Sequence, residues 1–268
     1  WPAAAQRAQR RVPLPPWFHG DVLAPVDAPG DIALPLDALR RFLQAPADAF
    51  LRQRLGLRLA EVDADDGDAD VEPLLAPARG LAKQALQRAV FDACLRGDDD
   101  AATHALLRAR GLLPSGPLGR RTLEQVRGQV DAYAQAFAGW RGDAVADAPR
   151  LEVDLDGTVL HGRVADVYPH GIARIRFDVP NGPSAIRNGL DWLFASAAGL
   201  AAPLVEFHDG GDAGVGPHLR ASLAPDAARA LLRRLLALRA RGLREPLPFA
   251  PYAGWALYSA PSLDKGLD

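Results

Sequence analysis

Catalytic chemistry has few places to reside in this chain. The six histidines, His19, His104, His161, His170, His208 and His218, show no short spacing of the metal-ligand kind. The single Cys94 excludes a disulfide framework and a multi-cysteine zinc site, and it suits a reducing compartment such as the cytoplasm. Ser115, in the run LLPSGPLG at 112–119, has no base beside it in sequence to activate its hydroxyl and reads as a turn residue. Residues 63–70, DADDGDAD, look like a calcium loop. They lack acids at the required offsets before Gly67 and a closing Glu, so a solvated acidic loop is expected. There is no P-loop, no G-x-G-x-x-G after a strand, no H-E-x-x-H and no nucleophile elbow. No metal and no cofactor is expected.

What remains is arginine. With a formal charge of −2, the whole chain offers no field that would draw nucleic acid, so any such surface must be local. Arg174 and Arg176 stand two residues apart in Ile-Ala-Arg-Ile-Arg-Phe, so a strand would put both on one face. Their forked donors match phosphate oxygens. Arg229, Arg233, Arg234, Arg239 and Arg241 lie largely outside the leucine side of a helix read at 225–241. Such a face can bind phosphate; the competing reading is that these arginines solubilise a leucine-rich core helix.

The elements that must position these residues centre on 151–178. Leu151, Val153 and Leu155 alternate with Glu152, Asp154 and Asp156, which is the period of a half-buried strand. Asp156-Gly157 supplies a type I′ turn, and the 159–167 and 172–177 runs follow as the next strands, with Pro169-His170-Gly171 between them. A three-stranded antiparallel meander is predicted. Helices are predicted over 36–55 with Pro46 opening a second one, then over 81–95, 100–110, 122–137, 184–198 and 225–241. Short strands are predicted at 204–207, turned by Asp209-Gly210-Gly211, and at 253–258. Proline keeps 1–30 from regular structure, with Trp17-Phe18 available to dock it. The reading is α/β, a small mixed sheet surrounded by helices: an extended arm at 1–30, a helical subdomain at 31–149 and a sheet core with flanking helices at 150–268. No apolar run approaches 18 residues, so no membrane span is expected. A chain that starts at Trp1 and holds no Met is expected to be a piece of a longer product.

Gly162-Arg163-Val164-Ala165 followed by Arg174-Ile175-Arg176 resembles the metal-binding core of the PD-(D/E)XK nuclease fold. There, Gly-x-x-Asp on one strand and Asp/Glu-x-Lys on the next hold Mg²⁺ and activate water. Here Ala165 occupies the first acid position and two arginines stand where acid-x-Lys would be. More widely, residues 31–259 resemble the C-terminal region of the RecC family, the gamma subunit of exodeoxyribonuclease V. The matching runs are DALRRFLQAPADAFLRQRLGLRL at 37–59, GLLPSGPLG at 111–119, GRVADVYPHGIARIRF at 162–177 and AGWALY at 253–258.

The resemblance implies a degenerate nuclease-like domain with no catalytic residue, part of a helicase–nuclease complex in double-strand break repair and DNA degradation. Its implied partners are the beta and alpha subunits and single- and double-stranded DNA, which it would scaffold and guide. Arg163, Arg174 and Arg176 become candidates for a groove that tracks a strand backbone, with Arg229 and Arg233 as further candidates. Two rivals stay open. One is a Mg²⁺-dependent nuclease using Asp166, which strand alternation opposes unless a bulge re-aims that side chain. The other is a pure protein–protein interaction module.

Overall fold

The computed structural model describes residues 22–24, 32–57, 80–178, 180–210 and 214–259. Most of the 1–30 arm, including Trp17-Phe18, the 63–70 loop and part of the turn after residue 209 lie outside the described residues. What is described of the arm, 22–24, is tied to the body: Leu23 N–H donates to the Arg244 carbonyl at 3.0 Å, and Arg54 Nη2 donates to the Ala24 carbonyl at 2.7 Å.

Alternation sets the first hairpin. Strand β2 (Arg150–Leu155) buries Val153 and Leu155 and turns Glu152 and Asp154 outward. Asp156 and Gly157 both take positive φ, 56° and 89°, as a type I′ turn demands. Strand β3 (Thr158–Arg163) returns antiparallel, and β1 (Ile32–Pro35) adds to its other edge in parallel, giving the order β1-β3-β2.

Beyond Arg163 the structure departs from a continuous meander. Val164 dives fully into the core between exposed neighbours, and Asp166 at φ 56° turns the chain out of strand geometry. Strand β4 (Val167–Tyr168) therefore opens a second sheet with β5 (Gly171–Ile175), β6 (Leu204–Asp209) and β7 (Val215–Arg220), in the order β4-β5-β6-β7. The segment leading into β2 is tied to β4, where Asp147 and Val167 exchange both backbone hydrogen bonds, at 2.8 and 3.0 Å. Both sheets are mixed, because β1 runs parallel to β3 and β5 parallel to β6.

Helices enclose them: α1 (Leu36–Gln44), α2 (Pro46–Arg54), α3 (Gly80–Arg96), α4 (Asp100–Ala109), α5 (Gly116–Arg141), α6 (Gly182–Ala197), α7 (Pro225–Gly242) and α8 (Pro251–Ser259). Pro46 opens α2, Asp99 caps α4 by accepting the Ala102 N–H at 2.7 Å, and Asn181 and Ser184 form a capping box on α6. Helix α5 takes in the second half of the expected loop at 112–119. Residues 253–258, expected as a strand, lie in α8. A lone strand would leave its backbone groups unpaired, whereas a helix started by Pro251 satisfies its own. None of the described helices is long and apolar enough to cross a membrane.

The second sheet separates two cores. Ile172 and Leu204 join Leu39, Phe42, Val153, Leu160, Leu190, Phe194 and Leu232 on one side. Their strand neighbours Ala173 and Val205, with Phe207, face Phe91, Leu107, Val130 and Phe137 of α3–α5 on the other. Each half of the chain thus depends on the other for its burial. Phe91→Ala and Phe194→Ala, one in each core, are each expected to cost about 3–5 kcal/mol. Urea denaturation followed by far-UV circular dichroism should show both shifting the same single transition.

Candidate nucleic-acid interface

The segment β5–α6–β6 is a parallel crossover unit, and the polar residues gather toward the carboxyl ends of its strands. On the sheet face toward α6, Ile172 and Leu204 are apolar and buried, and the next residues on that face are Arg174 and Glu206, then Arg176 and His208. Arg174, Glu206 and His218 lie side by side across β5, β6 and β7.

A buried aspartate organises this face. Asp191 projects from α6, only 7% of its side chain exposed, and accepts from Arg174 Nη2 at 2.7 Å and from Arg40 Nη2 of α1. Arg40 also pairs with Asp37. The other terminal nitrogen of Arg174 donates to the carbonyls of Ala165, at 3.0 Å, and Ala173, at 2.7 Å. It also lies 3.7 Å from the Asp166 carboxylate. Ala165 thus offers Arg174 a backbone oxygen at the position where the nuclease resemblance looks for an acid.

Around this cluster opens a cleft of about 500 Å³. Among the described residues seven arginines line it (Arg40, Arg88, Arg141, Arg163, Arg174, Arg176 and Arg187) against three aspartates, Asp37, Asp166 and Asp191. The balance makes it locally electropositive in a chain whose formal charge is −2. Arg163 reaches it from the end of β3, steadied by a 3.2 Å bond from Nε to the Ala148 carbonyl. Arg141 lies over the Phe137 ring at 5.7 Å. Burial pulls the Arg176 guanidinium below its ordinary value, with the Asp178 carboxylate pulling the other way. Among the described residues no group of three or more His, Cys, Asp or Glu is placed to hold a metal ion.

Of the residues singled out from sequence, Arg163, Ala165, Arg174 and Arg176 meet in this cleft. Arg229 and Arg233 do not line it. Arg229 pairs with Asp226 at 3.3 Å, and Arg233 grips Asp156 in the β2–β3 turn through two bonds, at 2.7 and 3.0 Å. The alternation argument against Asp166 also fails: at φ 56° the residue is outside strand geometry and lines the same cleft as Ala165. Sequence reasoning missed Arg40, Arg88, Arg141, Arg187 and Asp191. Only Asp191 left a signal, an acid within the apolar face formed by Leu190, Leu193 and Phe194.

A family model described as the RecC C-terminal domain matches residues 31–262, from just before β1 to just past α8. The chain belongs to the RecC C-terminal domain family. The RecBCD enzyme subunit RecC of Mycolicibacterium smegmatis is 28% identical over 258 residues, 95% of this chain and 22% of that protein. The chain therefore spans about a fifth of the length of this RecC relative. The family match takes in both sheets, both cores and every arginine of the cleft.

Two predictions concern the charges of this family member. Asp191→Ala would leave the part-buried guanidinium groups of Arg40 and Arg174 without their shared carboxylate. A loss of about 3–5 kcal/mol is expected by urea denaturation. At the hairpin, the Arg233 hydrogen bond holds the Asp156 carboxyl below the ordinary carboxylate value. A depressed folded value contributes stability above the unfolded value, about 3.9 for Asp, and loses it as pH falls through the folded one. In Arg233→Gln, carboxyl NMR titration should show Asp156 rising toward its ordinary value, and the acid-side loss of stability from this pair should vanish.

Proposed function

We propose that this domain is a non-catalytic, nuclease-like module of a RecBCD-type helicase–nuclease complex acting in double-strand break repair and DNA degradation. In that complex it scaffolds the beta and alpha subunits and guides DNA along the cleft. The observation that carries this reading is the cleft's excess of arginine, seven against three aspartates among the described residues, at the carboxyl end of β5. Guanidinium forks match phosphate oxygens, and positive charge concentrated in a concave surface attracts a nucleic acid backbone of any sequence. The same charges oppose metal-dependent hydrolysis, since a fixed cation repels the Mg²⁺ that such chemistry needs. Family membership and the RecC relative support the assignment to such a complex.

Arg174 has a structural share in this reading, because Asp191 and two backbone carbonyls already engage it. Phosphate contact falls to Arg141, Arg163 and Arg187. The Arg229–Arg241 face of α7 has the blander role of covering a leucine-lined helix, with Arg233 fastening the hairpin.

The test is fluorescence anisotropy with a labelled single-stranded oligonucleotide at several salt concentrations. The native chain should bind weakly and without sequence preference at the cleft, and its log affinity should fall with log salt by roughly 0.7 per phosphate neutralised. Arg141→Ala/Arg163→Ala/Arg187→Ala should lower both affinity and slope. Unchanged values in the triple variant would overturn the cleft reading. Cleavage of DNA with Mg²⁺ or Mn²⁺ that disappears in Asp166→Ala would overturn the non-catalytic one.

A further inference from the structure

On the same face of the second sheet a hollow of about 620 Å³ opens between β5–β6–β7 and α8. Its chemistry differs from that of the cleft. Phe249, Trp255 and Tyr258 contribute aromatic rings from α8 and the segment before it. The sheet contributes His208 and His218, whose rings are stacked in parallel with centroids 3.9 Å apart and planes 3° from each other. Tyr258 is 78% exposed and Leu219 66%, so much of this apolar lining is open to solvent. Arg176 and Arg220 add positive charge, and Arg220 lies over the Trp192 ring at 5.4 Å.

Among the described residues the hollow has one carboxylate in its lining, Glu206, which accepts the Asn188 side-chain amide at 2.8 Å. Asn188 is itself 8% exposed. The placement of α8 is built in at Gly182, where a Cβ would stand 2.0 Å from the Pro251 carbonyl oxygen. Only glycine allows the start of α6 and the start of α8 to approach so closely. Cleft and hollow also share Arg174, Arg176, Ser184 and Asn188, so the two adjoin.

The geometry points to the hollow as a stacking site for an unpaired nucleobase of a single strand whose phosphates lie in the arginine cleft, one carrying an exocyclic amino group. Each part of the lining supplies a term of that recognition. Every base offers a π-face, and aromatic side chains beside a cationic groove are the general means by which proteins hold single strands. A carboxylate oxygen accepts a hydrogen bond from an exocyclic amine, whereas in thymine the one ring N–H donor stands between two carbonyls that repel the carboxylate. The volume suits a small flat group. This inference rests on the reading of the cleft as a phosphate groove, and it adds a base-dependent contact to one that is otherwise blind to sequence.

The experiment titrates the full chain with three labelled probes of equal length: oligo(dC), oligo(dT) and an abasic oligonucleotide that carries the phosphates without bases. Oligo(dC) is expected to bind about 5- to 150-fold more tightly than the abasic probe, the range that stacking of one base supplies. It should also bind more tightly than oligo(dT), a pyrimidine that lacks the amino group. Trp255→Ala and His218→Ala should each remove most of the difference between oligo(dC) and the abasic probe, leaving abasic affinity and its salt slope unchanged. Tyr258→Ala, at a side chain too exposed to carry the fold, should remove part of it. Equal binding of oligo(dC) and the abasic probe would overturn the base site while the cleft reading stands. Binding of neither would overturn both. Equal binding of oligo(dC) and oligo(dT) would overturn the assignment of an amino-bearing base.

Discussion

One buried carboxylate fixes the geometry on which the rest of the structure depends. Asp191 joins α1, β5 and α6 at a single point by accepting from Arg40 and Arg174. An acid that is 7% exposed is stable as an ion only with close, well-directed positive partners, and here it has two. The consequence runs outward. Arg174, held by Asp191, donates with its second terminal nitrogen to the Ala165 carbonyl, within the bend between β3 and β4. That bend ends one sheet and begins the other, and the cleft opens beside it. A charged network of this kind rigidifies to the degree that its members are satisfied: both Asp191 oxygens are engaged, while Arg40 Nε is buried without a hydrogen-bond partner among the described residues. It also gives α1, from the first half of the chain, a fixed relation to β5 and α6 in the second.

Much of the fold was legible where the signal was local. The β2–β3 hairpin follows from alternation plus Asp156-Gly157, and Pro46 and Pro225 mark helix starts by their own chemistry. What escaped depended on distant partners. Strand β1 is four residues, Ile-Ala-Leu-Pro, and becomes a strand only because β3 offers a parallel edge from far along the chain. Strand β7 carries exposed residues through its last four positions, so it shows no alternation of burial to detect. In 253–258 the aromatic residues favoured a strand, but no sheet edge pairs with the segment, and the helix that begins at Pro251 prevails. The meander failed at one residue: a left-handed Asp166 breaks the two-residue period, and nothing in Val-Ala-Asp-Val announces that φ.

For the site, sequence supplied the floor of the cleft and not its rim. Arg163, Ala165, Arg174 and Arg176 were legible because they sit on a recognisable strand pattern. Arg40, Arg88, Arg141 and Arg187 come from four different helices, and each is an ordinary surface arginine until the fold brings them together. Arg229 and Arg233 failed for the converse reason. Clustering along one helix looks like a site, yet their acids, Asp226 and Asp156, lie close enough to claim them.

On the proposed reading, the exchange of acids for arginines changes how the site carries its charge. A carboxylate pair holds a metal ion reversibly, so the positive charge it presents depends on ion supply and pH, and water on that ion can attack a phosphate. Around the Asp191 cluster, where Asp37 and Asp166 also face Arg40 and Arg174, the seven guanidinium groups of the cleft against its three aspartates present a fixed positive excess that no chelator removes and no physiological pH titrates. They supply no activated water. Such a site can hold a phosphate backbone without cutting it, which is what passage of a strand through a protein requires. The ring of arginines outside that cluster then enlarges the field without inserting further charge into the core, where Asp191 has two partners and could not balance a third.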